Sequence, residues 1–343
     1  MKGVRSVKTV PPCTACAWIC AVVLAAAASA CTPSVTRESL STPYQVAVGA
    51  YHALLADEVD AETARAIVDQ ALAGDASDDA IRMVAAQVEL HEYRRSGSLR
   101  ARERLLGQLV AIDASLRSGA DVVDWVEARL YVTLGDVLTI DAQRDDERWL
   151  ESDLAQVEDL WSALLRFDAA DAAYRFARSL AADEPSRGLL RERQHAATAQ
   201  VSSTLAVAAT ISAISRSPEG ALGRLRAASL AQLEASLRAD APADVLADPP
   251  LRATVALDGS VHAQRAAAFE ALATDASRRL RAACDDADMN ARSDALDQLV
   301  GHLWWAAHHA VVAGTLGAEY DAVPVLGFLA GVATRGPEDA CSL

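Results

Sequence analysis

The chain has 343 residues, enough for one large or two ordinary domains, and a formal charge of −15. So acidic a surface repels phosphate backbones, and no nucleic-acid partner is expected. No lysine occurs after Lys8, which removes P-loop NTPases, pyridoxal enzymes, Schiff-base aldolases, Ser-Lys hydrolases and protein kinases, all of which need a lysine amine.

The amino terminus has three parts. Lys2, Arg5 and Lys8 make it positive, an apolar run follows from Ala17 to Ala28, and the small residues Ala28, Ser29 and Ala30 lead to Cys31. The run is too short for a comfortable membrane span, and small residues before a break suit a signal-peptide cleavage pocket. A cysteine directly after such a pocket resembles the lipobox of bacterial lipoproteins, with Ala28 standing where Leu or Val is commoner. The resemblance implies that residues 1–30 are a signal peptide and that Cys31 is lipidated and becomes the new amino terminus. It also implies a lipid-anchored protein on the periplasmic side of a bacterial envelope. Thr32, rather than Asp, follows the anchor, which by the same resemblance implies delivery to the outer membrane. The alternative is a soluble exported protein cut near Ala30. Loss of Lys2, Arg5 and Lys8 takes the charge from −15 to −18. Cys13, Cys16 and Cys20 fall in the removed segment, so their spacing is no redox or zinc motif.

Residues 31–43 are polar and read as a flexible tether. Helical periodicity begins near Tyr44 and scarcely stops, in a sequence rich in alanine, the best helix former. Leu105, Leu106, Leu109 and Ile112 make one apolar stripe; Leu230, Leu233 and Leu237 make another, and Phe269, Leu272, Ala276 and Leu280 a third. Leu150, Leu154, Val157, Trp161 and Leu164 predict a single amphipathic helix with an acidic back. Breakers at Gly74, Gly97, Gly119, Pro185, Pro218, Pro242 and Pro249-Pro250 cut the pattern into helices joined by short turns. Such helices must pack antiparallel, so the expected fold is all-α, a bundle or a stack of helical hairpins.

A weak internal repeat favours the stack. Residues Arg65 to Ser77 align with Glu103 to Ser115, matching Ile67-Val68 to Leu105-Leu106, Gln70 to Gln108, and Asp75-Ala76-Ser77 to Asp113-Ala114-Ser115. Tyr131-x-x-Leu134-Gly135-x-x-Leu138 resembles the first helix of a tetratricopeptide repeat, and Trp161-x-x-Leu164-Leu165 with Ala177 is a poorer fragment. The offset of 38 departs from the family's spacing of about 34. The resemblance implies a superhelical stack over 44–184 whose concave face binds a partner.

Residues 185–343 read as a more apolar helical region. Ala196 to Ser215 lacks charge but carries many hydroxyls, which favours a buried helix, or one lining a cavity, over a span. Leu299 to Thr334 is the most apolar stretch after the signal and is broken by Pro324 and glycines, as in a buried cap. Cys284 and Cys341 are the mature cysteines besides Cys31. In an oxidising compartment an even pair predicts a disulfide, the alternative being one buried and one free thiol.

Candidate chemistry is thin. His302, His308 and His309 share a helix with Trp304 and Trp305, but His302 and His309 lie about 10 Å apart along its axis, too far for one metal. Glu192-x-x-His195 has di-iron spacing without a second copy. Asp285-Asp286-x-Asp288-x-Asn290 lacks the glycine and terminal glutamate of a calcium loop and reads as a polar turn. No catalytic residue, metal or cofactor is expected. The sequence points to a scaffold for a protein or peptide partner; the alternative is an extracytoplasmic component sheltering a small or apolar molecule for a transporter.

Overall fold

A computed structural model describes residues 42–74, 78–120, 122, 124–151, 157–181, 184–211, 255–286, 288–333 and 341. The fold is all-α: ten helices and no strand occur among the described residues. In chain order they are α1 (Thr42–Leu55), α2 (Ala61–Gly74), α3 (Asp79–Ser96), α4 (Leu99–Arg117), α5 (Asp124–Glu151), α6 (Val157–Leu180), α7 (Glu184–Ile211), α8 (Gly259–Asp285), α9 (Met289–Thr315) and α10 (Val323–Ala333). Turn chemistry sets several ends. The Asp78 carboxylate accepts from the amides of Ala80 and Ile81 at the start of α3. Gly97, at φ 74°, ends that helix and Ser98 caps the next, which allows a tight α3–α4 hairpin. Asp288 caps α9 in the same way, so the acidic run after Cys284 is a helix end and a helix start.

Helices pair as α1–α2, α3–α4, α5–α6 and α8–α9, and α7 packs on α6. The first helices of successive hairpins also touch, α1 on α3 and α3 on α5, which makes residues 42–180 a stack. The expected helix across 150–164 is instead split between two antiparallel helices: α5 ends at Glu151 and α6 begins at Val157. The stripe runs in phase through the break by coincidence. Leu150 is exposed, whereas Trp161 and Leu164 are buried. The stripe Leu105, Leu106, Leu109, Ile112 is buried throughout. Residues Leu230, Leu233 and Leu237, like the signal segment, Cys31 and the tether through 41, lie outside the described residues.

Gly135 explains why the α5–α6 hairpin closes so tightly. A Cβ at this position would meet the Tyr174 ring at 2.6 Å, so only glycine lets the two backbones approach over that ring. Two core clusters run across residue 185. One joins α3–α7 to Val255, Leu257 and Val312, and the other joins Trp149, Trp161 and Phe167 to α8, α9 and α10. Within α9, residues 301–313 are buried on every side. No described helix is long and apolar enough to cross a membrane. Cys284 and Cys341 are joined by a disulfide, with Cα atoms 5.7 Å apart, which ties residue 341 to the end of α8.

Candidate functional site

The stack is fastened by buried carboxylates. Glu89 on α3 receives Arg65 from α2 and Arg104 from α4, at 2.5 and 2.9 Å. Three more acids lie along α5. Asp145 is fully buried and holds Arg148, Ser162 and Arg166. Asp141 receives Arg102 at 2.7 Å together with the Tyr93 hydroxyl. Asp136 receives Arg193 at 2.6 Å and the Tyr174 hydroxyl at 2.8 Å. The last two sites repeat one arrangement: an acid, a tyrosine and an arginine from three helices. Burial, reinforced by the adjacent carboxylate, raises both phenols well above the ordinary tyrosine range, so each stays a proton donor. Arg102 also donates to the Thr315 carbonyl at 2.7 Å, linking α4 to the end of α9. These pairs are structural because each partner is consumed inside the protein.

One end of the stack is different. Tyr44 on α1 meets Trp125 on α5 with ring centroids 6.2 Å apart, reaching past α3. Both rings are half-buried, as are Tyr51 and Arg129 further along the same two helices. Arg129 donates to the Gln87 Oε1 at 2.8 Å; the Gln87 amide donates to the Thr133 hydroxyl at 2.8 Å, and that hydroxyl donates back to the Arg129 carbonyl at 2.8 Å. The closed ring of bonds fixes the guanidinium against α3. Arg94 from α3 and Arg193 from α7 approach the same face, where both contact Asp136. Burial raises the Tyr51 phenol, opposed by the fields of Arg129, Arg94 and Arg193. This inner face of α1, α3, α5 and α7 gathers tyrosine, tryptophan and guanidinium groups that the sequence disperses over some 150 residues.

A second constellation sits between α8 and α9. His302, His308 and His309 are buried, as their helix predicts, and His262 from α8 joins them. The His262 Nε2–H donates to the Ala256 carbonyl at 2.8 Å, which leaves its Nδ1 to accept from the His309 Nδ1–H, also at 2.8 Å. Burial lowers His262 and His302 to about 4 and His309 well below the ordinary imidazole range, so these three rings are neutral at pH 7. Phe269 and Trp305 stack around them. His308 approaches Asp168 at 3.6 Å, and neither of its ring nitrogens has a hydrogen-bond partner among the described residues. No three His, Cys, Asp or Glu among the described residues converge on a metal position. Glu192 and His195 are both exposed on α7. An open hollow of about 510 Å³ lies where Gly259 and Ser260 start α8 beside the loop at Leu316, Gly317 and Ala318.

Sequence reasoning reached the histidines of α9 but missed His262, 40 residues before His302. It also missed the inner face, which four helices build. Its one legible trace was Gly135 within the repeat-like motif beside Asp136. No family model matches the chain, and no curated protein or solved structure is significantly similar to it.

Proposed function

We propose that the mature chain is an envelope lipoprotein, anchored through Cys31, whose tetratricopeptide-like hairpin stack is a scaffold for a protein or peptide partner. The observation that supports this is the inner face itself. Half-buried aromatic rings and a pinned, incompletely used guanidinium line a surface shared by α1, α3, α5 and α7. Aromatic and arginine side chains are the groups that supply most interface energy. A photocrosslinker placed at Tyr51 should give discrete adducts in intact envelopes, and one at exposed Arg278 on α8 should not. Identical adducts from both positions, or none from Tyr51, would contradict the scaffold. The anchor is tested separately. Cys31→Ser should move the protein from the detergent-extracted to the soluble fraction, and a variant that stays membrane-bound contradicts lipidation.

The second reading, shelter for a small molecule, has one observation in its favour. His308 is buried beside aromatic rings, and among the described residues neither of its ring nitrogens has a hydrogen bond. The hollow near Gly259 is open rather than enclosed, and on that account the scaffold is the better reading.

A further inference from the structure

The inner face carries an imbalance of charge. Arg94, Arg129 and Arg193 approach it from three helices, and Arg94 and Arg193 meet the Asp136 carboxylate there. Asp136 is already occupied. Arg193 spans both of its oxygens at 2.6 and 2.8 Å, the Tyr174 hydroxyl donates to one of them, and Arg94 stands 3.6 Å from the other. Arg129 has only a neutral partner among the described residues, the Gln87 amide oxygen. Its other N–H donors, out of five on a guanidinium, have no protein acceptor there. Elsewhere in the stack each buried carboxylate is matched by arginines, and the chain as a whole is strongly acidic. Glu89 and Asp145 also take two arginines each, but every one of those guanidiniums reaches a carboxylate, whereas Arg129 reaches none among the described residues.

The cation is also set beside an apolar platform. Trp125 and Arg129 are one turn apart on α5, and Tyr44 and Tyr51 are two turns, or about 10 Å, apart on α1. A strip of that length matches about three residues of extended chain at roughly 3.3 Å each. A free small anion would use the guanidinium end alone and leave the aromatic pair unused.

We propose that this face binds an acidic peptide segment of the scaffold's partner, with an Asp or Glu carboxylate between Arg129 and Arg94 and an aromatic or large apolar residue two or three positions away on Tyr44 and Trp125. The inference rests on the scaffold reading and names the chemistry of its partner. The carboxylate accepts charge-assisted bonds from a guanidinium that the Gln87–Thr133 ring already holds in place, so little side-chain freedom is lost on binding.

The test is fluorescence anisotropy on the full mature chain. The probe is a labelled hexapeptide, Tyr-Ala-Glu repeated twice, and its counterparts carry Gln or Arg in place of Glu. The Glu peptide should bind about tenfold tighter than the Gln peptide, the Arg peptide should not bind, and added salt should weaken the complex. Arg129→Gln and Arg94→Gln should each weaken it by a similar factor, and Arg278→Gln should leave it unchanged. Arg94 is 59% exposed, so its variant will fold even if loss of the Arg129–Gln87 bond loosens α5. Equal binding of the Glu and Gln peptides, or full binding by Arg94→Gln and Arg129→Gln, overturns the carboxylate site and leaves the scaffold standing. Free glutamate competing as well as the peptide overturns the peptide as its source. Failure of every probe overturns the inference, and crosslinking from Tyr51 then decides the scaffold independently.

Discussion

Glu89, Asp136, Asp141 and Asp145 are buried in the α1–α7 stack, each gripped by arginine; the described part of the α8–α10 region buries four histidines and no carboxylate. The two regions share an alanine-rich, lysine-free composition, yet they are fastened by opposite kinds of polar group. In the stack the contacts between hairpins are modest, and charged ties across three helices fix their register. In α8–α9 the two helices meet along nearly their whole length, around Phe269, Trp305 and neutral imidazoles, and the disulfide closes the end. The absence of lysine gains a physical sense here. A planar guanidinium grips both oxygens of a buried carboxylate with two nitrogens in a fixed fork, as Arg102 does at Asp141 through Nε and Nη2, and an ammonium has only one nitrogen.

Breaking a tie in the stack should have the largest effect. Asp141→Ala leaves Arg102 buried without its carboxylate and removes the acceptor of Tyr93, so chemical denaturation should show a loss of about 3–5 kcal/mol. A loss below about 1 kcal/mol would mean that the buried pair is not what holds α3, α4 and α5 in register. The disulfide comes next. It closes a loop of 57 residues, for which chain entropy gives about 4 kcal/mol as an upper figure. Cys284→Ser with Cys341→Ser should lower the stability of α8–α9 by about 2–4 kcal/mol and leave the Glu89 and Asp141 ties intact. Alkylation of the non-reduced protein at either cysteine would contradict the bond itself.

A smaller effect sharpens the contrast within the stack. Gly135→Ala drives a methyl group into the Tyr174 ring, which is itself fixed by Asp136, so about 1–3 kcal/mol should be lost. Restoring most of that loss with Tyr174→Leu would show that the ring, and not helix propensity, sets the cost, since alanine is the better helix former. A double mutant no better than Gly135→Ala would show that the close approach lies elsewhere.

The sequence made the helical class legible because apolar stripes such as Leu105 to Ile112 survive as buried faces. The acidic run from Asp285 to Asn290 was legible as a polar turn, though not the cap that Asp288 supplies to α9. The separation of α5 from α6 was not legible, because the stripe from Leu150 to Leu164 keeps helical phase and no glycine or proline interrupts it. The histidine nest was half legible: α9 carries three of its rings on one helix, whereas His262 arrives only through helix packing. The inner face was illegible because Tyr51, Arg94, Arg129 and Arg193 sit on four helices, and no spacing rule brings together residues joined only by the stack's curvature.

The contrast between the regions is tested most directly by hydrogen exchange on the purified protein from neutral pH down to about 4. His262 and His302 fall from 6.5 to about 4 on folding. Between those values the unfolded chain binds protons that the folded chain refuses, so their stabilisation is complete above 6.5 and lost as pH falls, by about 1.4 kcal/mol per proton for each pH unit. His309 adds to the same loss, and Arg265 and Arg279 nearby oppose protonation further, against weaker support from Asp275 for His302. Asp145 works the other way: burial raises its carboxyl pKa, so acid relieves a cost instead of imposing one. Amides of α8 and α9 should lose protection through this window while those of α3, α4 and α5 keep theirs. Simultaneous loss in both regions, or earlier loss in the stack, would contradict the account.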